Sequence, residues 1–190
     1  MSRFPASQTT AMKRTRLRAL ASGLLCLGLG SITGSGAAFL KIGDIKGEAT
    51  DADHKGWIII ESFSFGAERV PDPTSGKLGQ PKPRPIAVSK ELDISSPKLL
   101  ETLVTGTPTV TATVEFTRAN SEKVPIVYLR YELKNVLITS FDTSAESTEV
   151  PTEEFSLNFE EIKVTYIPQS IDGSPGEPVE TIWVVRPEPQ

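Results

Sequence analysis

Residues Thr109–Arg118 read TVTATVEFTR, and the alternation is strict. Val110, Ala112, Val114 and Phe116 fall on one face of an extended chain, and Thr109, Thr111, Thr113 and Glu115 on the other. A repeat of two is the pattern of a half-buried strand. After a turn over Asn120–Lys123, the stretch Val124–Phe141, VPIVYLRYELKNVLITSF, resumes the same alternation. There Val127, Leu129, Tyr131, Leu133 and Leu137 share a face, opposite Arg130, Glu132 and Lys134. Two long strands joined by a short turn make the chain mainly β.

Working outward, Phe39–Ile45 (FLKIGDI) predicts a short first strand ending near Asp44, and Trp57–Phe65 (WIIIESFSF) a second, rich in β-branched and aromatic residues. Between them lies a charged turn, Lys46–Lys55. Val70–Pro85 contains five prolines and two glycines and cannot pair as a central strand. It is a long exposed loop, of a length that often carries function. Ile86–Ile94 resumes extended structure.

One helix is expected, in Ser95–Gly106 (SSPKLLETLVTG). Ser95 or Ser96 caps it, Pro97 suits its first turn, and Gly106 ends it in a left-handed conformation. Leu99, Leu100, Leu103 and Val104 share its apolar face. Further on, Glu154–Gln169 switches its apolar phase, from Phe155, Leu157 and Phe159 to Ile162, Val164 and Tyr166. A change of face predicts a bulge or a passage between two sheets. Turn signals at Asp172-Gly173 and Pro175-Gly176 precede a last strand, Thr181–Pro187. The fold class expected is mainly β, a two-sheet barrel or sandwich with one short flanking helix.

The N-terminal 38 residues read differently. Lys13, Arg14, Arg16 and Arg18 precede an uncharged apolar run and then Ser35-Gly36-Ala37-Ala38. This is a signal-peptide pattern, with cleavage expected after Ala37 or Ala38; the competing reading is an uncleaved anchor. Cys26, the single cysteine, lies inside the apolar run, so the processed chain has no disulfide and depends on its core. Residues 1–38 hold five basic and no acidic residues. The remainder therefore has 15 basic against 24 acidic residues, a formal charge of −9. Such a surface argues against nucleic acid and anionic membranes as partners. The expected location is outside the cytoplasm, periplasmic or extracellular.

Catalytic chemistry finds little support. His54, the single histidine, sits in a polar turn beside Asp51 and Asp53 and reads as solvated, without a nucleophile at hand. Glu48, Asp51 and Asp53 lack the spacing of a calcium loop. Glu153-Glu154 and Glu160-Glu161 are adjacent on strands, so each pair diverges and reads as solvated charge rather than a glycosidase dyad. Lys77 lacks a phosphate-binding loop. No catalytic, cofactor-binding or metal residue is assigned, no cofactor is expected, and an enzyme is not expected.

Three separated stretches carry a resemblance. Ile45-Lys46-Gly47-Glu48 with Asp51–Lys55 and Ser62–Gly66 is similar to the opening of the haemolysin-coregulated protein (Hcp) family, the tube proteins of type VI secretion systems. Ser95–Gly106 resembles that family's SPKLL helix, and Glu154–Gly176 its SLNF…Y…Q…DG run. Together they span most of residues 39–190, the expected Hcp-like domain. The resemblance implies two sheets with one helix, hexameric rings that stack into a tube, a lumen able to hold secreted effector proteins, and no catalytic residue. It also implies that the loop 70–85 reaches a neighbouring protomer or ring, and that the turn 46–55 is assembly surface. The leader is a departure, because family tube proteins are assembled in the cytoplasm. The alternative function is an exported, non-catalytic binding module that keeps the fold.

Overall fold

The computed structural model describes residues 36–71, 73–120, 124–170 and 174–185. The leader up to residue 35 and the Asp172-Gly173 turn lie outside the described residues. In chain order the elements are β1 (Ala38–Ile42), β2 (Ile58–Ile60), β3 (Ser62–Ser64), β4 (Ala67–Glu68), β5 (Lys82–Pro83), β6 (Ile86–Glu91), α1 (Ser96–Thr105), β7 (Thr109–Ala119), β8 (Pro125–Ser144), β9 (Thr152–Asn158), β10 (Glu161–Tyr166) and β11 (Val179–Val184).

The twenty-residue β8 belongs to both layers. Its first part pairs with β7 on one side and β10 on the other, in a sheet ordered β2-β1-β7-β8-β10-β11. Its second part pairs with β9, opening a sheet ordered β8-β9-β6-β3. The hydrogen-bonded path is open, so the fold is a sandwich and not a closed barrel. β2 and β3 are the two ends of that path, one residue apart at Glu61. The expected single strand over Trp57–Phe65 is therefore two short ones, each serving a different sheet.

The passage between sheets has a local cause. Asn135 adopts φ 52°, the left-handed region that asparagine tolerates better than most residues. Opposite it, β9 and β10 are interrupted at Phe159–Glu160. Glu160 N donates to Lys134 O at 3.0 Å, and Asn135 Nδ2 donates to Glu160 Oε2 at 2.6 Å. The bend reverses the phase of both strands. Leu133 is buried before it; Val136 and Ile138 are buried after it. Leu137, expected on the inner face with Leu133, consequently points outward and is exposed. The phase switch read in Glu154–Gln169 is this same passage, seen from the partner strands.

The core joins Leu40, Ile42, Ile58, Val88, Leu99, Val114, Phe155 and Leu157 from both sheets and the helix. Val110, expected to face inward, lies at the open start of β7 and is 76% exposed. Helix α1 begins after Ser95 and ends at Gly106 (φ 64°), whose N–H donates to Leu103 O at 3.1 Å. Ser95 makes no side-chain cap. Only Leu99 of the expected apolar face is fully buried, and Leu103 packs on the core. Leu100 and Val104 stay exposed, because this short helix presents a single stripe to the sheets.

Candidate assembly surface

The charged turn after β1 is built around one side chain. Asp51 Oδ1 accepts from the backbone N–H of Asp53 at 3.1 Å and of His54 at 3.2 Å. Such an aspartate-led turn folds the chain back within three residues and drives His54 inward. The imidazole stacks on Phe39 with ring centroids 4.1 Å apart, and meets the indole of Trp57 edge-on at 5.0 Å. Nδ1 lies 2.7 Å from Asp51 Oδ1 and Nε2 lies 2.8 Å from Glu115 Oε2. Both carboxylates accept, so both contacts are complete when both ring nitrogens carry hydrogen. Glu115 takes a second donor, Nε of Arg130. The hydrogen bond from His54 holds the Asp51 carboxyl below its ordinary range.

This corrects one expectation: His54 is not a solvated turn residue; it is 2% exposed. Glu115, on the polar face of β7, is buried beneath the turn. The clamp leaves Lys46, Glu48, Asp53 and Lys55 on the outer rim. Among the described residues no group of three or more His, Cys, Asp or Glu is placed to hold a metal.

A second buried charge lies at the far end of β6. Lys90, fully buried, donates to Glu153 Oε2 at 2.7 Å and Ser96 Oγ at 2.9 Å, and pairs with Asp93 at 2.8 Å. Ser96 Oγ in turn donates to Glu153 Oε2 at 2.6 Å. The node ties β6, β9 and the start of α1 together. Glu153 is thus an internal ion-pair partner, not solvated charge. Its neighbour Glu154 is exposed, as alternation on a strand requires.

The Pro-rich loop is an ordered arm. β4 and β5 pair in a separate two-stranded ribbon. Above them Gly79 N donates to Val70 O at 3.0 Å, and below them Arg84 N donates to Gly66 O at 2.8 Å. Pro83 is tolerated because the ribbon offers an edge. The arm leaves Val70 and Leu78 exposed. Among the described residues β11 pairs with β10 alone and leaves Val179, Ile182 and Val184 exposed along a sheet edge.

A sandwich of this kind has known counterparts. The sequence family described as "Type VI secretion system effector, Hcp" matches residues 39–166. This chain belongs to the Hcp family of type VI secretion proteins. Protein hcp1 of Pseudomonas aeruginosa is 32% identical over 153 residues, covering 78% of this chain and 94% of that protein. Among solved structures, "Structure of a type six secretion system protein" superposes with a TM-score of 0.72 at 25% identity, covering 79% of this chain and 96% of the other. Hcp1 from Salmonella typhimurium gives 0.63 at 20% identity, covering 79% and 94%, and bears on the fold alone. The Hcp match takes in the charged turn, the arm, the helix and the passage between sheets. It ends at Tyr166, before β11.

Proposed function

We propose that this Hcp-family chain is a structural subunit that assembles with copies of itself into a ring, as a tube protein does, and has no catalytic role. The observation that carries this reading is the open edge at β11. Val179, Ile182 and Val184 are 65%, 61% and 56% exposed on a strand that, among the described residues, is paired on one side only. An exposed apolar edge is a liability in a monomer and is relieved when another chain covers it. The closure of a cyclic assembly removes such edges. The family's hexamer, with a lumen for secreted effector proteins, is the assembly expected.

The leader belongs to the same proposal. Ala38 is the first residue of β1 and stands opposite both Ile60 and Phe116. Ala37 O accepts from Thr117 N at 2.8 Å, so cleavage after Ala37 costs that hydrogen bond but keeps Ala38 in place, whereas cleavage after Ala38 also removes one rung from two ladders. Export by this route places the ring outside the cytoplasm, in the periplasm or beyond. Among the described residues no helix is long and apolar enough to cross a membrane.

Electron microscopy of the purified chain, beside an Ile182→Glu variant, tests the reading. Rings in the wild type that are lost in the variant support it. Single particles of one protomer in the wild type would instead favour an exported binding module on the same fold.

A further inference from the structure

The junction at which the leader is expected to be cut is fastened to the sandwich. Gly36 lies so close to β7 that an added Cβ would stand 2.3 Å from Thr117 O. Ala37 is held twice: its carbonyl accepts from Thr117 N at 2.8 Å, and its N–H donates to Thr117 Oγ1 at 3.2 Å. Ala38 then stands opposite Phe116 on one side and Ile60 on the other. No spacer separates the junction from the first strand, because Ala38 is also the first residue of β1.

The residues beyond the junction are fixed more firmly still. β1 lies between β2 and β7, so both of its backbone edges are taken. Leu40 and Ile42 are fully buried in the core, and Phe39 is buried beneath the His54 imidazole. Drawing the start of β1 out of its sheet would open the core and the histidine clamp together. A peptidase holds its substrate as an extended segment, by main-chain hydrogen bonds to that segment's free edges. Past either expected cut, after Ala37 or after Ala38, no edge is free.

We infer that the leader is removable only before β1 pairs, so that folding closes the processing site. This rests on the reading of residues 1–38 as a cleavable leader and adds what regulates the cut. Ala37 and its partner Thr117 are 80 residues apart, so the junction stays open until β7 has been made. A chain whose export begins in that interval is processed and folds outside. A chain that folds first keeps its leader and stays in the cytoplasm. The processed chain and the folded precursor are then alternative end states of one sequence, decided by whether export or β1–β7 pairing comes first.

Purified signal peptidase acting on the whole chain tests the inference. The folded precursor is compared with an insertion variant that carries about ten Gly and Ser residues, ending in Gly-Ala-Ala, after Ala38. The insertion moves the junction clear of β1 and returns the same three residues to its start. Proteolysis of a folded chain tracks the population of the open form, so the folded wild type is expected to be cut at least about tenfold more slowly than the folded variant. The two should be cut alike when diluted from urea directly into peptidase, with mass spectrometry locating the cut. For the wild type alone, the rate should also rise with urea in step with the unfolded fraction. A folded wild type cut as fast as its unfolded form, or a folded insertion variant that resists as the wild type does, would overturn the inference and leave the leader standing. Chains that resist even when presented unfolded would overturn the leader reading, and this inference with it.

Discussion

His54 Nε2 lies 2.8 Å from Glu115 Oε2, a contact across 61 residues that fastens the charged turn to the middle of β7. With Asp51 on the other ring nitrogen, the imidazole bridges two carboxylates. Replacing it removes the donor from a buried acid. His54→Leu is expected to destabilise the fold by about 1–3 kcal/mol, the scale for leaving a buried polar group without its hydrogen-bond partner. Pairing it with Glu115→Gln should return part of that loss. Urea unfolding of the two single variants and the double variant gives the coupling directly.

The same clamp sets an acid limit. The Asp51 carboxyl is held below its ordinary value, chiefly by the hydrogen bond from His54. A carboxylate with a depressed folded pKa contributes stability that is present above its unfolded value, about 3.9, and disappears as pH falls through the folded one. Asp51→Asn should therefore be less stable than the wild type at pH 6, with the gap closing below pH about 4. Melting temperatures at constant ionic strength measure it; a gap independent of pH would remove Asp51 from this role.

Lys90 and Glu153 form the second testable pair, 2.7 Å apart and both buried. Lys90→Met leaves Glu153 without its cation and should cost about 3–5 kcal/mol. Lys90→Met with Glu153→Leu should recover most of it, since an apolar pair of similar volume is often no worse than a buried ion pair. A double variant as damaged as Lys90→Met alone would show that Asp93 and Ser96, not Glu153, carry the node.

Two glycines separate space from conformation. At Gly47 an added Cβ would lie 2.4 Å from Trp57 O, against backbone that cannot swing aside. Gly106 has open space and φ +64°. Gly106→Ala should cost about 1 kcal/mol, the usual penalty for a left-handed Cβ. Gly47→Ala should cost clearly more, by unfolding midpoint, and loosen the turn over β7 as seen by amide exchange.

Much of this fold was legible in the sequence because period-two patterning in β7 and the start of β8 matches what the sheets bury. Legibility failed where one backbone position resets the phase. Asn135 does so in β8, and nothing in the spacing of Leu133 and Leu137 marks it. The helix was readable from Pro97 and Gly106, but the width of its buried stripe depends on how much sheet lies beneath it. Buried charge was the larger omission. His54, Glu115, Lys90 and Glu153 each look like surface residues in a polar stretch, and only partners more than 60 residues away bring His54–Glu115 and Lys90–Glu153 inside. The resemblance to Hcp proteins was legible in the turn, the helix and the SLNF run, whereas the ordering of the arm into a ribbon was not, because its prolines argue against pairing.

Self-assembly is tested most directly by the light-scattering mass of residues 38–190 after size exclusion, across a range of concentrations. The expected result is six times the protomer mass, with rings in the same fractions. A single-protomer mass at the highest concentration, from a folded sample, would contradict the ring and leave a sandwich that binds something other than itself.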